Sequence, residues 1–191
     1  MLGYNRLRKF AIHLLETKLS KDLVYHGIHH TMEVLRNVNF LIKKENVSPE
    51  DSKLLRIAAL YHDIGFVNTY RDHEEAGVDI LQSAMERFGC DMRKFKKISS
   101  MIMATKIPQN PKNKLEKIIC DSDLFYLGKN KYYEISDTLC QELMSHKIIK
   151  TQKQWLDIQI SFLSGHHYHT QYCRKNLEAE KFKRVEELKA S

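Results

Sequence analysis

Proline, glycine, cysteine and long apolar runs are all scarce in this sequence of 191 residues, which has 3 Pro, 7 Gly and 4 Cys. So few turn-forming residues argue against an all-β sandwich, and a hydrophobic content of 42% argues against a disordered chain. The cysteines show no C-x-x-C spacing, so they indicate neither a disulfide framework nor a zinc ribbon. No run approaches the roughly 18 apolar residues of a membrane span, and the start of the chain lacks a signal-peptide apolar region. We therefore expect a single cytoplasmic domain over residues 1–191, without a membrane partner.

Positive charge is concentrated in one part of the chain. The sequence has 31 Lys+Arg against 24 Asp+Glu, a net charge of +7, and residues 91–118 alone contain eight basic and two acidic side chains. Such a stretch either faces a phosphate-bearing ligand or forms a solvated helix face. No DNA- or RNA-reading motif and no exposed aromatic platform accompanies it, so we do not expect a nucleic-acid partner.

Apolar residues recur at the spacing of amphipathic helices along almost the whole chain, and no convincing strand alternation accompanies them. One helix is predicted over about 26–44. The next begins at Ser48-Pro49 and ends near Gly65, because Ser is a common N-cap, Pro suits the first turn and Gly ends helices. Two prolines predict a loop over 107–111. The other helical stripes cover residues 7–15, 76–85, 95–102, 115–119, 132–143, 155–163 and 179–188. The predicted fold class is therefore all-α.

Several of the ten histidines lie where a helix places polar groups among apolar ones. His26 and His30 are four residues apart on one face of a predicted helix, so either can point inward. His62 and Asp63 end an apolar helix, and residues 121–123 place two aspartates in an apolar setting, where polar groups are costly without partners. Two imidazoles and two carboxylates form a ligand set for a divalent ion, because the two negative charges balance those of the metal.

The polar motifs occur in a characteristic order between residues 22 and 170. They are Tyr25-His26-x-x-x-His30-Thr31, His62-Asp63-Ile64-Gly65, Glu74-Glu75, Ala104-Thr105-Lys106, Asp121-Ser122-Asp123-Leu124 with Gly128, and His166-x-Tyr168-x-Thr170. In this order they resemble the HD-domain metal-dependent phosphohydrolases, and in particular one subgroup of predicted members. The resemblance implies an HD-domain-like helical bundle with a core over about 22–170 and flanking helices at both ends. It also implies hydrolysis of a phosphomonoester or phosphodiester by metal-activated water, in a nucleotide or small phosphorylated metabolite.

The resemblance assigns the metal ligands to four residues. They are His30, His62, Asp63 and Asp123. The implied cofactor is one divalent ion, Mn, Fe, Co, Ni or Zn rather than Mg, because Mg²⁺ prefers oxygen ligands to imidazole. A second ion is not favoured, since Thr105-Lys106 stands where two-metal members often have a ligand histidine; His73 is the residue that would serve a second ion. The Glu-Asp pair of the alarmone hydrolases is also absent after Asp63, so guanosine-tetraphosphate hydrolysis is not expected.

Neighbouring residues receive catalytic roles under the same hypothesis. Asp63 takes part in catalysis as a ligand, Glu74 or His73 transfers a proton, and Lys106 with the basic stretch neutralises phosphate charge. Each has an ordinary alternative: Glu74 is equally well explained as an exposed helix residue, and His73 and Lys106 as capping and loop residues.

Three further residues are predicted to bind substrate or to orient a ligand. They are His26, Asp121 and His166, together with Lys106 in its phosphate-binding role. Asp121 also suits a capping role, and His166 also suits the end of a helix near Gly165. The competing function for the whole protein is a non-catalytic sensor, in which the same site holds a metal and a nucleotide and regulates a partner protein. The oligomeric state is not predicted.

Overall fold

The computed structural model describes residues 2–190, whose regular structure consists of ten α-helices and three short 3₁₀ helices. No strand occurs in this part of the chain, and the prediction of an all-α fold is confirmed. The 3₁₀ helices are Ile64–Val67, Met92–Lys94 and Phe125–Gly128. The α-helices are α1 (Leu2–Lys18), α2 (Ile28–Lys44), α3 (Pro49–Tyr61), α4 (His73–Arg87), α5 (Phe95–Ala104), α6 (Lys114–Asp123), α7 (Tyr132–Ser145), α8 (Gln152–Gly165), α9 (Gln171–Asn176) and α10 (Glu178–Ala190).

The central element is α3, which packs against α1, α2, α5 and α6. Its start follows the predicted cap: the Ser48 side chain accepts a hydrogen bond from the Asp51 amide at 3.1 Å, with Pro49 in the first turn. Its second half, from Ile57 to Tyr61, is buried at every position, as expected of a helix that is apolar on all sides. The end of α3 therefore lies inside the protein, where it carries the polar pair that follows it.

The helix predicted to end near Gly65 ends four residues earlier, at Tyr61, and a 3₁₀ turn follows. Gly65 in that turn lies against the start of α4, since an added Cβ would overlap the carbonyl oxygen of His73. An added Cβ at Gly77 would lie 2.8 Å from the Tyr61 carbonyl oxygen. This close approach brings the N-terminus of α4 beside the end of α3.

The C-terminal helices attach to the rest of the protein mainly around the 3₁₀ turn Phe125–Gly128, which α6, α7 and α10 all contact. The Tyr168 hydroxyl is buried there; it accepts a hydrogen bond from the Gly128 amide and lies 3.1 Å from the Leu124 carbonyl oxygen. One buried apolar cluster includes residues from Leu7 to Leu188. The short helix α9, which the sequence did not predict, is capped by the Thr170 hydroxyl.

Among the helices described, none is both long and apolar enough to cross a bilayer.

Candidate metal centre and its pocket

Side chains from three helices converge on one point in the interior. The Nε2 atom of His30 lies 3.1 Å from Asp123 Oδ1 and 3.4 Å from His62 Nε2. The Oδ2 atom of Asp63 lies 3.2 Å from His62 Nε2 and 3.4 Å from His30 Nε2. The facing atoms of His30, His62 and Asp123 form one group that could hold a metal ion, and Asp63 Oδ2 lies within 3.4 Å of both histidine nitrogens.

The position of each ligand follows from the helix that carries it. His30 lies in the first turn of α2, His62 directly follows α3, and Asp123 is the last residue of α6. These helices pack against one another, so residues 93 positions apart in the sequence meet at hydrogen-bonding distance. Asp63 has left the helix at φ −108°, ψ 3°, which lets its carboxylate face the same point as the preceding imidazole.

A hydrogen bond fixes the orientation of His62. Its Nδ1 lies 2.9 Å from the Ala59 carbonyl oxygen, a group that can only accept, so Nδ1 carries the proton. In the neutral ring the lone pair is then on Nε2, which faces Asp63 and Asp123. This arrangement is typical of metal-binding histidines, whose second nitrogen is held by a hydrogen bond to the protein.

The electrostatics of the cluster favour positive charge at its centre. Burial disfavours the charged imidazole of His62, yet Asp63 and Asp123 raise its pKa to about 9. Burial would raise the pKa of the Asp63 carboxyl, but the His62 imidazole holds that pKa well below its usual range. Asp63 Oδ2 is also buried without a hydrogen bond from any described residue. An unsatisfied carboxylate oxygen beside two imidazoles fits a divalent cation.

His73 and Glu74 lie on the other side of Asp63. His73 Nε2 is 3.4 Å from Asp63 Oδ1 and 3.4 Å from Glu74 Oε1, so the two oxygens of Asp63 face different partners. Burial lowers the pKa of the His73 imidazole, but Asp63 outweighs this effect and the pKa is raised. Glu74 is buried, which rules out its reading as an exposed helix residue. In the described part of the chain, His30, His62 and Asp123 form a group whose atoms could hold a metal ion, and His73 lies beside Asp63 next to this group.

His26 belongs to a network that the sequence did not reveal. Its Nδ1 lies 2.5 Å from Oε1 of Glu142, a buried carboxylate in α7 that also accepts hydrogen bonds from the amides of Tyr25 and His26 and from the Tyr70 hydroxyl. Burial opposes the charged form of Glu142, but these hydrogen bonds lower its pKa. The ring of Phe66 stacks on His26, with ring centroids 4.4 Å apart, and on His73 at 3.9 Å.

A pocket of about 390 Å³ opens beside the cluster. Its polar end is formed by the metal-binding aspartates and the residues just described, and its far end by apolar side chains of α7, α8 and the turn after α6. The side chains at the polar end are His26, Asp63, His73, Glu74, Thr105 and Asp123. The size falls in the usual range of small-molecule sites, roughly 300–1,000 Å³.

Lys106 is not part of this pocket, which corrects the prediction that it neutralises phosphate. Its ammonium group lies 2.8 Å from Asp72 and 2.5 Å from Glu75 at the protein surface, and hydrogen bonds to both carboxylates raise its pKa. Lys94 and Lys97 are likewise paired, with Glu50 and Asp51 at the start of α3. At these positions the basic stretch forms a solvated surface whose lysines pair with acidic side chains. This is the second of the two interpretations that its composition allows, and not the phosphate-binding one.

Asp121 has a structural position, although it is only two residues from Asp123. Its carboxylate is fully buried and accepts hydrogen bonds from the amides of His169 and Thr170 and from the Thr170 hydroxyl, at 2.6–2.9 Å. It therefore anchors the C-terminal segment to α6 and does not line the pocket, contrary to the predicted contact with substrate. Thr170, with the neighbouring Tyr168, holds the segment that presents Asp123.

His166 is also outside the pocket. It lines a neighbouring cavity of about 430 Å³, formed with Pro108 and Gln109, and Phe162 lies between the two spaces. Burial, with the nearby Lys181, lowers the pKa of His166 to about 3, so the ring is neutral. The predicted role of His166 in substrate binding is therefore not supported by its position.

A helical fold that brings two imidazoles and two carboxylates to one point defines a class of metal-binding helical domains. The family model of the HD domain matches residues 27–126, more than half of the chain, and this range includes all four predicted ligands. The chain belongs to the HD-domain family. No curated protein and no solved structure matches it. The matched range ends before α7, which contributes Glu142.

Proposed function

We propose that this protein is a metal-dependent phosphohydrolase that cleaves a phosphomonoester or phosphodiester bond in a nucleotide or another small phosphorylated metabolite. The observation that carries the proposal is the cluster of His30, His62 and Asp123, with Asp63 beside both imidazoles, at one end of a pocket of ligand size. These residues would hold one divalent ion, and Mn, Fe, Co, Ni or Zn suits two imidazoles better than Mg. When bound, the ion supplies positive charge for a phosphoryl oxygen and lowers the pKa of a water molecule.

His73 and Glu74 are the groups best placed to accept a proton from the attacking water. Both line the pocket, and His73 is within reach of the Asp63 oxygen that faces away from the ligand cluster. Asp63 keeps its orientation because His62 and His73 lie on either side of it. Glu74 lines the same wall and accepts the proton that the water loses.

His26 is the candidate acid for the leaving group. Its Nδ1 is occupied by Glu142, so Nε2 is the nitrogen left for a ligand. A carboxylate behind an imidazole stabilises the protonated ring and fixes its direction, which a general acid requires. Glu142 is therefore a positioning residue, and the Phe66 ring stacks on both imidazoles, whose own ring centroids lie 6.1 Å apart on the same wall.

The test is an activity screen of protein whose metal content has been measured. A panel of phosphomonoesters and phosphodiesters is offered after replenishment with Mn²⁺, Ni²⁺ or Mg²⁺, and Asp123→Ala is assayed in parallel. We expect hydrolysis of at least one ester that depends on the added metal and is lost in Asp123→Ala. Equal rates in the variant, or a nucleotide that stays bound without turnover under every metal, would contradict the proposal; the second result would favour the sensor.

A further inference from the structure

The pocket beside the metal centre has an unusual charge distribution for a site that receives phosphate. Among the described residues no lysine or arginine lines it, whereas Asp63, Glu74 and Asp123 do. Lys106, the lysine of the motif Ala104-Thr105-Lys106, forms ion pairs with two carboxylates at the surface. A divalent ion balances the two aspartates, and the imidazoles of His26 and His73 are the remaining groups that can carry positive charge. A ligand with several phosphates would bring uncompensated negative charge into this space.

The half of the pocket farther from the metal centre is apolar. Its walls come from α7, α8 and the turn after α6, with Leu127, Leu139, Leu143, Trp155, Ile158 and Leu163 among the lining side chains. These residues lie at the helical spacing that the sequence assigns to core positions, yet here they surround open space. An apolar wall gains free energy by covering an apolar group and none by covering a charged one.

The polar side chains in this half are mostly satisfied by one another. Gln159 Oε1 accepts hydrogen bonds from the Tyr132 hydroxyl at 2.8 Å and from the Ser136 hydroxyl at 2.6 Å. Both hydroxyl protons are therefore used within the protein, so of these three side chains the Gln159 amide nitrogen is the donor left for the hydroxyls of a sugar. A polyhydroxylated group buried here would lose most of its hydrogen bonds to water without replacement.

We infer that the substrate is an ester of a single phosphate group with an apolar alkyl or aryl alcohol, and that polyphosphates and sugar phosphates are poor substrates. The inference rests on the proposed function and names the substrate class of that same site. The phosphate lies at the metal end, and the organic group fills the space between α7 and α8. Selection then depends on the length and apolarity of that group.

Binding can be measured without turnover, because the only tryptophan of the chain, Trp155, lies in this wall. Ethylphosphonate, butylphosphonate and hexylphosphonate are titrated into metal-loaded protein while the Trp155 emission is followed. We expect the dissociation constant to fall by about four-fold for each added methylene until the space is filled. Equal affinity for the ethyl and hexyl compounds, or tighter binding of ATP than of hexylphosphonate, would overturn the inference.

A matched pair of variants tests the wall itself. Ile158 lies at the outer edge of the pocket with 43% exposure, and Ile148 is 54% exposed in the connection between α7 and α8, away from the pocket. Ile158→Lys should reduce the preference for hexylphosphonate over ethylphosphonate at least three-fold and strengthen ATP binding, whereas Ile148→Lys should change neither. The same preference in both variants would contradict the assignment of this wall to the organic group.

Hydrolysis separates this inference from the proposed function. Hexyl phosphate, glucose 6-phosphate, AMP and ATP are compared as substrates under the same metal. Cleavage of ATP or glucose 6-phosphate in preference to hexyl phosphate overturns the inference but leaves the phosphohydrolase proposal standing. A chain-length gradient in phosphonate binding with no ester cleaved under any metal supports the apolar pocket and contradicts the phosphohydrolase.

Discussion

His62 shows how much of a metal centre can be set by one side chain. One ring nitrogen binds the backbone of its own helix, and the other faces Asp63 and Asp123. The direction of the metal-binding atom is therefore fixed by α3 before any ion arrives. Loss of a hydrogen bond that orients a ligand, such as the one from His62 to Ala59, typically lowers metal affinity roughly 10–100-fold, and loss of the ligand itself lowers it more.

We expect His62→Ala to lower metal affinity by more than about 100-fold, because it removes a ligand and leaves a buried cavity. Asp123→Asn removes a ligand charge without a change in size, so it tests the same site in a variant that keeps its packing. Metal content of the purified proteins is the measurement. His13→Ala, at an exposed histidine of α1, is the control. Unchanged metal content in Asp123→Asn would contradict the ligand assignment.

Glu142 accepts four hydrogen bonds, from two backbone amides, His26 and Tyr70, and an amide in its place cannot accept all of them. In Glu142→Gln we expect kcat to fall about ten-fold or more, since general acids contribute roughly 10²–10⁴-fold. KM should change less than kcat, because Glu142 orients His26 and does not itself line the pocket. Glu134→Gln, at an exposed glutamate of the same helix, should match the unmodified protein. A kcat that stays unchanged in Glu142→Gln while the protein becomes less stable would assign Glu142 a purely structural role.

Among the contacts between helices, the one between the end of α3 and the start of α4 brings His62 and Asp63 beside His73 and Glu74. Gly65 lies against the His73 backbone, with no room for a side chain. Gly65→Ala should lower the free energy of unfolding by about 1–3 kcal/mol, as overpacking in a close-packed interior does. Denaturant unfolding measures the change. Gly165→Ala is the matched control, because an added Cβ there meets nothing within 4 Å, and a similar loss in both variants would contradict this explanation.

Local sequence patterns predicted most elements but few of the contacts between them. The sequence alone reveals patterns that lie within one helix, such as the Ser48-Pro49 start of α3 and the apolar stripes of α1 to α8. The hydrogen bond from His26 to Glu142 joins residues 116 positions apart, and no local period reports such a pair. The sequence did not show that Lys106 is paired at the surface for the same reason: its partners Asp72 and Glu75 lie at the start of α4, more than 30 residues away. The four proposed ligands were predicted because the order of the motifs resembles a known family, and three of them, His30, His62 and Asp123, form a group that could hold a metal ion.

At the scale of the whole molecule, Glu178 connects α10 to the segment that precedes α9. Its carboxylate accepts hydrogen bonds from the Tyr168 amide at 2.9 Å and from Lys181 and His167. Burial raises the pKa of Glu178, but these partners outweigh it and lower the pKa below its usual value of 4.5. Because the folded pKa is the lower one, the carboxylate contributes stability above pH 4.5, and this contribution is lost as the pH falls through the folded pKa.

Glu178→Gln should therefore lower the free energy of unfolding at pH 7 by about 1 kcal/mol. The difference from the unmodified protein should shrink as the pH falls below 4.5, the usual pKa of the group. Chemical unfolding over a pH series measures both values. Glu186→Gln, at a side chain 74% exposed, should show almost no difference at any pH. A Glu178→Gln effect that persists undiminished into acid would contradict this assignment.

The two halves of the pocket come from separate stretches of the chain. The proposed metal ligands all lie within residues 27–126, whereas α7 and α8, which form the apolar walls, lie beyond them. Mutations in α7 and α8 can thus change the shape of the walls without altering a ligand. Substitution of the pocket-lining side chains of α7 and α8 is accordingly a direct way to redesign what the pocket admits.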